Sequence, residues 1–560
     1  MHNTENIELL VKLLKKHNIH HFVISPGGTN ISLVKALQND PFFKCYSVVD
    51  ERSAAYFAIG LFLQTGCIIA LSCTSAQATR NYVPGLTEAF YKRVPLLAIT
   101  MSKHPRFIYQ GYMQGPNQTS LPEDSVSKSF SLPFIQSTSD FLHSSRLINE
   151  AIIELKQVCR PIQINIPWQD FEIAEIDYVN VKSITRYSTS KGINKDVSGK
   201  KILVVAGEHR PYSNKEVDAI NNFCSQCDAA IYVNWLSNIH TSYNIEGNLF
   251  LSTIQVESEL KDIFPDIIIT IGGQTGDYPL YRALSKTNYN AEHWSVNEMG
   301  NIEDTYDKLT RVYAMPVLDF FENAVENDLA TSHSYLDKWK KIEAKYNRDI
   351  DLPLSNTYMA QQLSKSIPEN SILNLAILNS IRNWNLFAIS PSITSYANVA
   401  AFGIDGCVSM FIGESVATDQ LCFLVIGDLA FFYDLNAIGI REIKNNVRIL
   451  IINNNGGVEF KLSSGNHKET DKYIAAAGHF KNAKGWAETC GFLYLSSNSR
   501  EGAMANIPIF TSKNERPIIF EVFVTDEMEY QAYNNIIQTN KNHSTSILIS
   551  KGINKIKRII

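Results

Sequence analysis

Residues 427–457 read GDLAFFYDLNAIGIREIKNNVRILIINNNGG, directly after the apolar run CFLVI at 422–426. That run has the length and composition of a buried strand ending at Gly427-Asp428. A helix is expected over about 434–444, and VRILII at 447–452 reads as a second buried strand that ends in Asn453-Asn454-Asn455. Two fully apolar strands joined through a helix indicate a parallel sheet covered on both faces, with both turns opening at its C-terminal edge. Asp428 and Asn455, 27 residues apart, are therefore expected at one crevice. A carboxylate, an amide oxygen and the Gly457 carbonyl suit a hard divalent cation that completes its shell with water and phosphate oxygens. Glycines 427, 456 and 457 let backbone approach a diphosphate closely. Each turn alone is an ordinary Gly-Asp or Asn-Gly turn; the pairing at this spacing favours phosphate and metal.

The same alternation fills the rest of the chain. Residues 1–180 carry HHFVIS, the SPGG turn at Ser25–Gly28, CYSVV before Asp50-Glu51, a helix over 53–63, CIIALSC, VPLLAIT and QINIPW. A polar linker follows over 176–200. KILVVAG at 201–207 opens a second α/β unit, 200–335, with AAIYVNW and DIIITIGG. A third unit covers 356–540, and 541–560 reads as a loose basic tail. The expected fold is α/β, with three doubly wound parallel-sheet domains.

Composition narrows the function classes. Fifty-one Lys and Arg against 56 Asp and Glu give a net charge of −5, which offers nucleic acid no basic field. No apolar run approaches the roughly 18 residues that would span a bilayer, and the start of the chain lacks a signal peptide's apolar core. A cytoplasmic enzyme is expected. Nine cysteines in 560 residues make no disulfide framework, and Cys224-Ser-Gln-Cys227 falls at the end of an expected helix, where a thiolate is not activated.

Gly427-Asp428-Leu429 followed by Asn453-Asn454-Asn455-Gly456-Gly457 resembles the diphosphate and magnesium motif of the thiamine-diphosphate (ThDP) enzymes. YDLNA at 433–437 and GIDG at 403–406 are most similar to the 2-succinyl-5-enolpyruvyl-6-hydroxy-3-cyclohexene-1-carboxylate synthases, the carboligases of menaquinone synthesis. The resemblance runs over nearly the whole chain and implies three domains of the ThDP-binding type: pyrimidine-binding, central and diphosphate-binding. It also implies Mg2+ on Asp428, Asn455 and Gly457, with the cofactor held by Gly427, Asp428, Leu429, Ala430 and Asn455 and, from the first unit, by Glu51, Gly27 and Thr74. Asp50-Glu51-Arg52 before the apolar helix SAAYFAIGLFL matches the family's activating glutamate. Such an acid must carry a proton near neutral pH to serve N1′ of the cofactor's pyrimidine, so it belongs in an apolar pocket. The family's sites lie between subunits, which implies a homodimer or homotetramer. GGQTG at 272–276 lacks a dinucleotide fingerprint's spacing, and FAD is not expected.

The substrate end departs from the family pattern. SPGSR appears as Ser25–Thr29, with Thr29 at the arginine. TADRP appears as Thr100–His104, with Lys103 at the arginine, and SNRGASGIDG places Val399 at a third. Asn117 and Gln118 match the family's NQ pair. Arginine forks fit carboxylates, so two dianionic substrates lose two grips and keep a weakened third. The expectation is a ThDP- and Mg2+-dependent carboligase acting with CO2 loss on a 2-oxo acid and an acceptor, with a changed, less acidic substrate set. A genuine synthase and a simple 2-oxo acid decarboxylase are the alternatives. A ThDP-fold binding or regulatory subunit is the non-enzymatic rival, opposed by the presence of Glu51, Asp428 and Asn455 together. His104 is read as exposed or as a proton shuttle, and Arg80 as facing pocket or solvent.

Overall fold

Short β-branched strands alternate with helices along the whole chain, and the strands assemble into three sheets in which every pairing among the described residues is parallel. The computed structural model describes residues 5–168, 184–254, 257–285, 289–324, 333–388, 390–459, 478–479 and 481–556. The first sheet contains β1 (His21–Ile24), β2 (Lys44–Ser47), β3 (Ile69–Cys73), β4 (Leu96–Ser102), β5 (Lys128–Ser131) and β6 (Ile162–Pro167), in the order β2-β1-β3-β4-β6-β5. β3, β4 and β6 are buried along their length, and apolar clusters cover both faces of the sheet. That is the arrangement their unbroken apolar runs demand.

The middle sheet contains β7 (Thr185–Tyr187), β8 (Lys201–Ala206), β9 (Asp228–Tyr232), β10 (Asn244–Ile245), β11 (Ile267–Ile271), β12 (Glu292–Val296) and β13 (Leu309–Tyr313). Its order is β10-β9-β8-β11-β12-β13-β7. β7 lies within the stretch read as a linker; Thr-Arg-Tyr is a good edge-strand sequence and pairs with β13. The GGQTG turn has a packing role. A Cβ on Gly207 would stand 1.8 Å from the Gly273 carbonyl oxygen, so the glycines let two turns touch.

The third sheet holds β14 (Ile372–Leu375), β15 (Thr394–Tyr396), β16 (Cys422–Gly427), β17 (Val447–Asn453), β18 (Leu493–Ser497) and β19 (Ile518–Phe523). Its order, β15-β14-β16-β17-β19-β18, repeats that of the first sheet strand for strand. Residues 1–179, 400–405 and 455–480 form one compact unit, and the remainder, with the middle and third sheets, forms a second. Inside the second unit Trp235 donates its indole N–H to the Trp384 carbonyl at 2.9 Å. A helix, Asp526–Ile556, continues into the stretch read as a tail. Among the described residues no helix is long and apolar enough to cross a membrane.

Candidate active site

In the first unit the candidate residues follow the C-terminal ends of β1, β2 and β3. Glu51 is the first residue of the helix Glu51–Thr65, whose N-cap Asp50 accepts from the Arg52 and Ser53 N–H groups. Ala54, Ala55 and Ala58 bury the helix's inner face, and Glu51 itself is only 6% exposed. Burial first, and then the Glu51 charge, pushes the Cys73 thiol well above its ordinary range, and burial, then the Cys73 and Glu51 charges, do the same to the Tyr82 phenol.

The SPGG turn leans directly on the turn after β3. A Cβ on Gly27 would lie 2.2 Å from the Thr74 Cβ, so only glycine allows this approach. Thr29 secures it: its hydroxyl is 2.9 Å from the Thr74 hydroxyl and accepts from the Ser75 N–H at 3.1 Å, while its own N–H donates to Thr74 at 3.3 Å. Thr29 is buried and spends its polar groups on this lock. Ser75 Oγ is buried with no hydrogen-bond partner among the described residues, an orphan that a bound polar ring would satisfy.

Gln118 is buried as well. Its amide donates to the Thr79 hydroxyl at 2.9 Å and the Met101 carbonyl at 2.6 Å, and its oxygen accepts from the Ala76 N–H. Ala76 has φ +71°, a conformation costly for a residue with a Cβ, and that bond helps hold it. Asn117 is exposed, and its carbonyl accepts from Arg80 at 2.8 Å, which places Arg80 on the surface. Lys103 Nζ stands 4.7 Å over the Trp168 ring and 5.8 Å from Tyr112. His104 stacks on Phe134 and accepts from the Arg106 N–H through Nδ1; burial and the Arg106 charge lower its pKa, keeping the ring neutral.

In the second unit the register sets Gly427 beside Ile452, so Asp428 and the Asn453-Asn454 step leave the sheet at the same edge. Asp428 is 2% exposed and begins the helix Asp428–Tyr433, which takes in Leu429 and Ala430. The helix starts six residues earlier than the sequence reading, and Leu435–Gly439 is a 3-10 turn, so the expected helix over 434–444 is replaced by two shorter pieces. An acid in the first turn complements the helix dipole and sets that early start. A Cβ on Gly427 would meet nothing within 4 Å, which leaves the backbone there open to an approaching group. Asn455 and Gly457 belong to the first unit: Asn455 is exposed with φ +60°, its carbonyl accepts from the His479 N–H at 3.0 Å, and Gly457 is half-buried. Val399 is completely buried.

Two acids went unread in the sequence. Glu521 on β19 accepts from Asn453 at 2.7 Å, the Ala483 N–H at 2.9 Å and the Tyr494 hydroxyl at 2.7 Å, fixing the end of β17 ahead of Asn455. An acid inside the apolar strand PIIFEVFV was the available signal. Glu529 is fully buried and accepts from the Asn356 N–H at 2.9 Å. Burial, with the Asp428 and Asp526 charges adding to it, pushes its carboxyl up to about 8.

The donor set fits the implied groups. Asp428 in the second unit offers a carboxylate, and Asn455 and Gly457 in the first offer an amide and a carbonyl oxygen, donors of the kind Mg2+ takes. The buried Glu51 acid and the orphan Ser75 hydroxyl are groups of the kind a pyrimidine would use.

Residues 5–121 match the family model described as thiamine pyrophosphate enzyme, N-terminal TPP binding domain. The chain is 33% identical over 550 residues to a 2-succinyl-5-enolpyruvyl-6-hydroxy-3-cyclohexene-1-carboxylate synthase of Phocaeicola vulgatus, covering 94% of this chain and 96% of that one. It is 32% identical to the synthase so named in Bacteroides thetaiotaomicron, covering 93% and 96%. A solved structure from Mycobacterium smegmatis, titled as a thiamin diphosphate-dependent enzyme, superposes with a TM-score of 0.41 at 13% identity, over 93% of this chain and 99% of that one.

Proposed function

Since the chain belongs to the thiamine-diphosphate-dependent enzymes of the 2-succinyl-5-enolpyruvyl-6-hydroxy-3-cyclohexene-1-carboxylate synthase family, we propose that it is a 2-oxo acid carboligase whose substrates carry less negative charge than those of the menaquinone-pathway synthase. When bound, ThDP supplies the thiazolium that stabilises negative charge as CO2 leaves a 2-oxo acid. Glu51, buried at the start of its helix, would hold a proton toward N1′ of the pyrimidine. By the family motif, Asp428, Asn455 and the Gly457 carbonyl would hold Mg2+, and Gly427, Leu429 and Ala430 would carry backbone past the diphosphate. Gly27, Thr74 and Ser75 line the pyrimidine. A homodimer or homotetramer completes the reading. Its support here is the helix that begins at Glu51, which leaves Tyr56, Phe57 and Leu63 exposed in a single chain.

The changed substrate set rests above all on Thr29. It stands where the family resemblance expects an arginine, and its hydroxyl is already committed to Thr74 and Ser75. Val399, at the second lost arginine, is apolar and buried, and Lys103 at the third is drawn over an aromatic ring. Each missing charged hydrogen bond costs recognition about 2–5 kcal/mol, so two losses weaken a doubly dianionic pair by roughly a thousandfold or more.

Purified protein with ThDP and Mg2+ should release CO2 from monocarboxylate 2-oxo acids, with kcat/KM at least about 100-fold above that for 2-oxoglutarate. With isochorismate added, little joined product should form. Efficient joining of 2-oxoglutarate to isochorismate would make the protein a genuine synthase and overturn the changed substrate set.

A further inference from the structure

The opposite edge of the first sheet carries a second constellation. His20, His21 and Cys67 each bring one ligand atom to within 4.8 Å of the others. The topology explains the meeting. His21 opens β1 and pairs with Ile69 of β3, so the residue before β1 and the loop just ahead of β3 share one end of the sheet. The His20 backbone is anchored through its carbonyl, which accepts from the Lys44 N–H at 2.8 Å. The Cys67 N–H donates to the Thr65 hydroxyl at 3.2 Å.

The rings are arranged as ligands are. The two imidazole centroids lie 4.5 Å apart, tilted by 43°, although the residues are consecutive. His20 Nδ1 is 3.4 Å from the Asn18 carbonyl oxygen, and His21 Nδ1 is 3.4 Å from the Tyr46 hydroxyl. Outer partners of this kind on one ring nitrogen orient the other toward a metal. Cys67 Sγ has a weak contact, 3.6 Å, with the Thr65 carbonyl, so little is lost when the thiol ionises.

We propose that His20, His21 and Cys67 bind one Zn2+, with water as the fourth ligand. Two imidazoles and a thiolate are the donors of a borderline-soft ion; Mg2+ and Ca2+ prefer oxygen. Tetrahedral Zn2+ sets its ligand atoms about 3.4–3.6 Å apart, from bonds of about 2.0–2.3 Å. The present spread closes by about 1 Å through rotation of His20 and Cys67, neither of which is packed in the core. The site is structural. Glu51, Gly27 and Thr74 follow the far ends of β1 to β3, roughly 13 Å away across a four-residue strand. The ion would tie the loop after Gly66, which ends the Glu51 helix with φ +67°, to the start of β1.

Cobalt reports the thiolate directly. Protein stripped with chelator and reloaded with ThDP and Mg2+ is titrated with Co2+. One equivalent should give a thiolate-to-cobalt charge-transfer band with the intense visible bands of a tetrahedral ion. Cys67→Ser should abolish the charge-transfer band and weaken binding at least about 100-fold. His20→Ala should weaken binding similarly, whereas Cys45→Ser, on neighbouring β2, should leave both band and affinity intact. Zn2+ should raise the thermal midpoint of the parent and of Cys45→Ser but not of Cys67→Ser, with circular dichroism confirming that each variant is folded. Absence of the band at micromolar Co2+, its persistence in folded Cys67→Ser, or a midpoint indifferent to Zn2+ would overturn the site.

Discussion

Gly27→Ala isolates the contact that joins the two loops of the first unit. Gly27 has φ −168°, extended backbone that alanine adopts freely, so the substitution adds one methyl group and no backbone strain. That methyl would sit 2.2 Å from the Thr74 Cβ and 2.6 Å from its Cγ2. Carbon atoms rest about 3.5–4.0 Å apart, so the loops must part by roughly 1.5 Å. The Thr29–Thr74 bonds, at 2.9 and 3.3 Å, do not survive that separation. Overpacking of this kind costs about 1–3 kcal/mol, and two broken hydrogen bonds add about 1 kcal/mol each, so a loss of about 3–5 kcal/mol is expected. Urea unfolding should show a lower midpoint at unchanged slope, and ThDP should bind at least about tenfold more weakly because Ser75 moves with the loop. Adding Thr74→Gly restores the space, and the double-mutant cycle should give a favourable coupling of at least about 1 kcal/mol. If Gly27→Ala lies within about 0.5 kcal/mol of the parent, the loops are not in the contact described.

Two further outcomes follow from the second unit. Asp428→Asn removes the charged ligand proposed for Mg2+, so ThDP affinity at limiting Mg2+ should fall at least about tenfold; an unchanged Mg2+ requirement in a ThDP titration would exclude Asp428 as a ligand. Glu529 holds its proton up to about pH 8 when folded, whereas the unfolded chain releases it near the ordinary carboxylate range. The native state therefore binds more protons between about pH 4.5 and 8, and stability falls as pH rises through that window. In cofactor-free protein Glu529→Gln should flatten the fall by on the order of 1 kcal/mol per pH unit, read from urea midpoints at pH 5.5 and 8; an unaltered slope would show that Glu529 ionises normally.

The architecture was legible because buried parallel strands leave unmistakable apolar runs, such as CFLVI before Gly427 and CIIALSC before Thr74. Asp428 follows the buried run of β16, where a sheet exposes its ligand edge, whereas Glu51 follows a partly exposed edge strand and was singled out by the family resemblance. Local helix limits were less so. Helical periodicity over 434–444 pointed one way, and the first-turn preference of Asp428 prevailed. The partners of Thr29 and Gln118 are separated from them by up to 46 residues, and no local pattern announces a hydroxyl that will lock a distant turn. Glu529 stands in DEMEYQ, a stretch whose charges resemble a solvated helix start, and only the packing of Asn356 against it reveals its burial. Thr29 is the instructive case. Aligned with an arginine it reads as a missing group, and in the structure it has a job of its own.

The most direct test is the exchange of the C2 proton of bound ThDP into deuterated water, followed by rapid quench and NMR, in the parent and in Glu51→Gln. If buried Glu51 holds the proton at N1′, the variant should still bind ThDP and Mg2+ while exchange slows about 100-fold or more, the range of a lost acid–base group. Exchange at the parent rate with the cofactor fully bound would contradict the assignment of Glu51 and the site built around it.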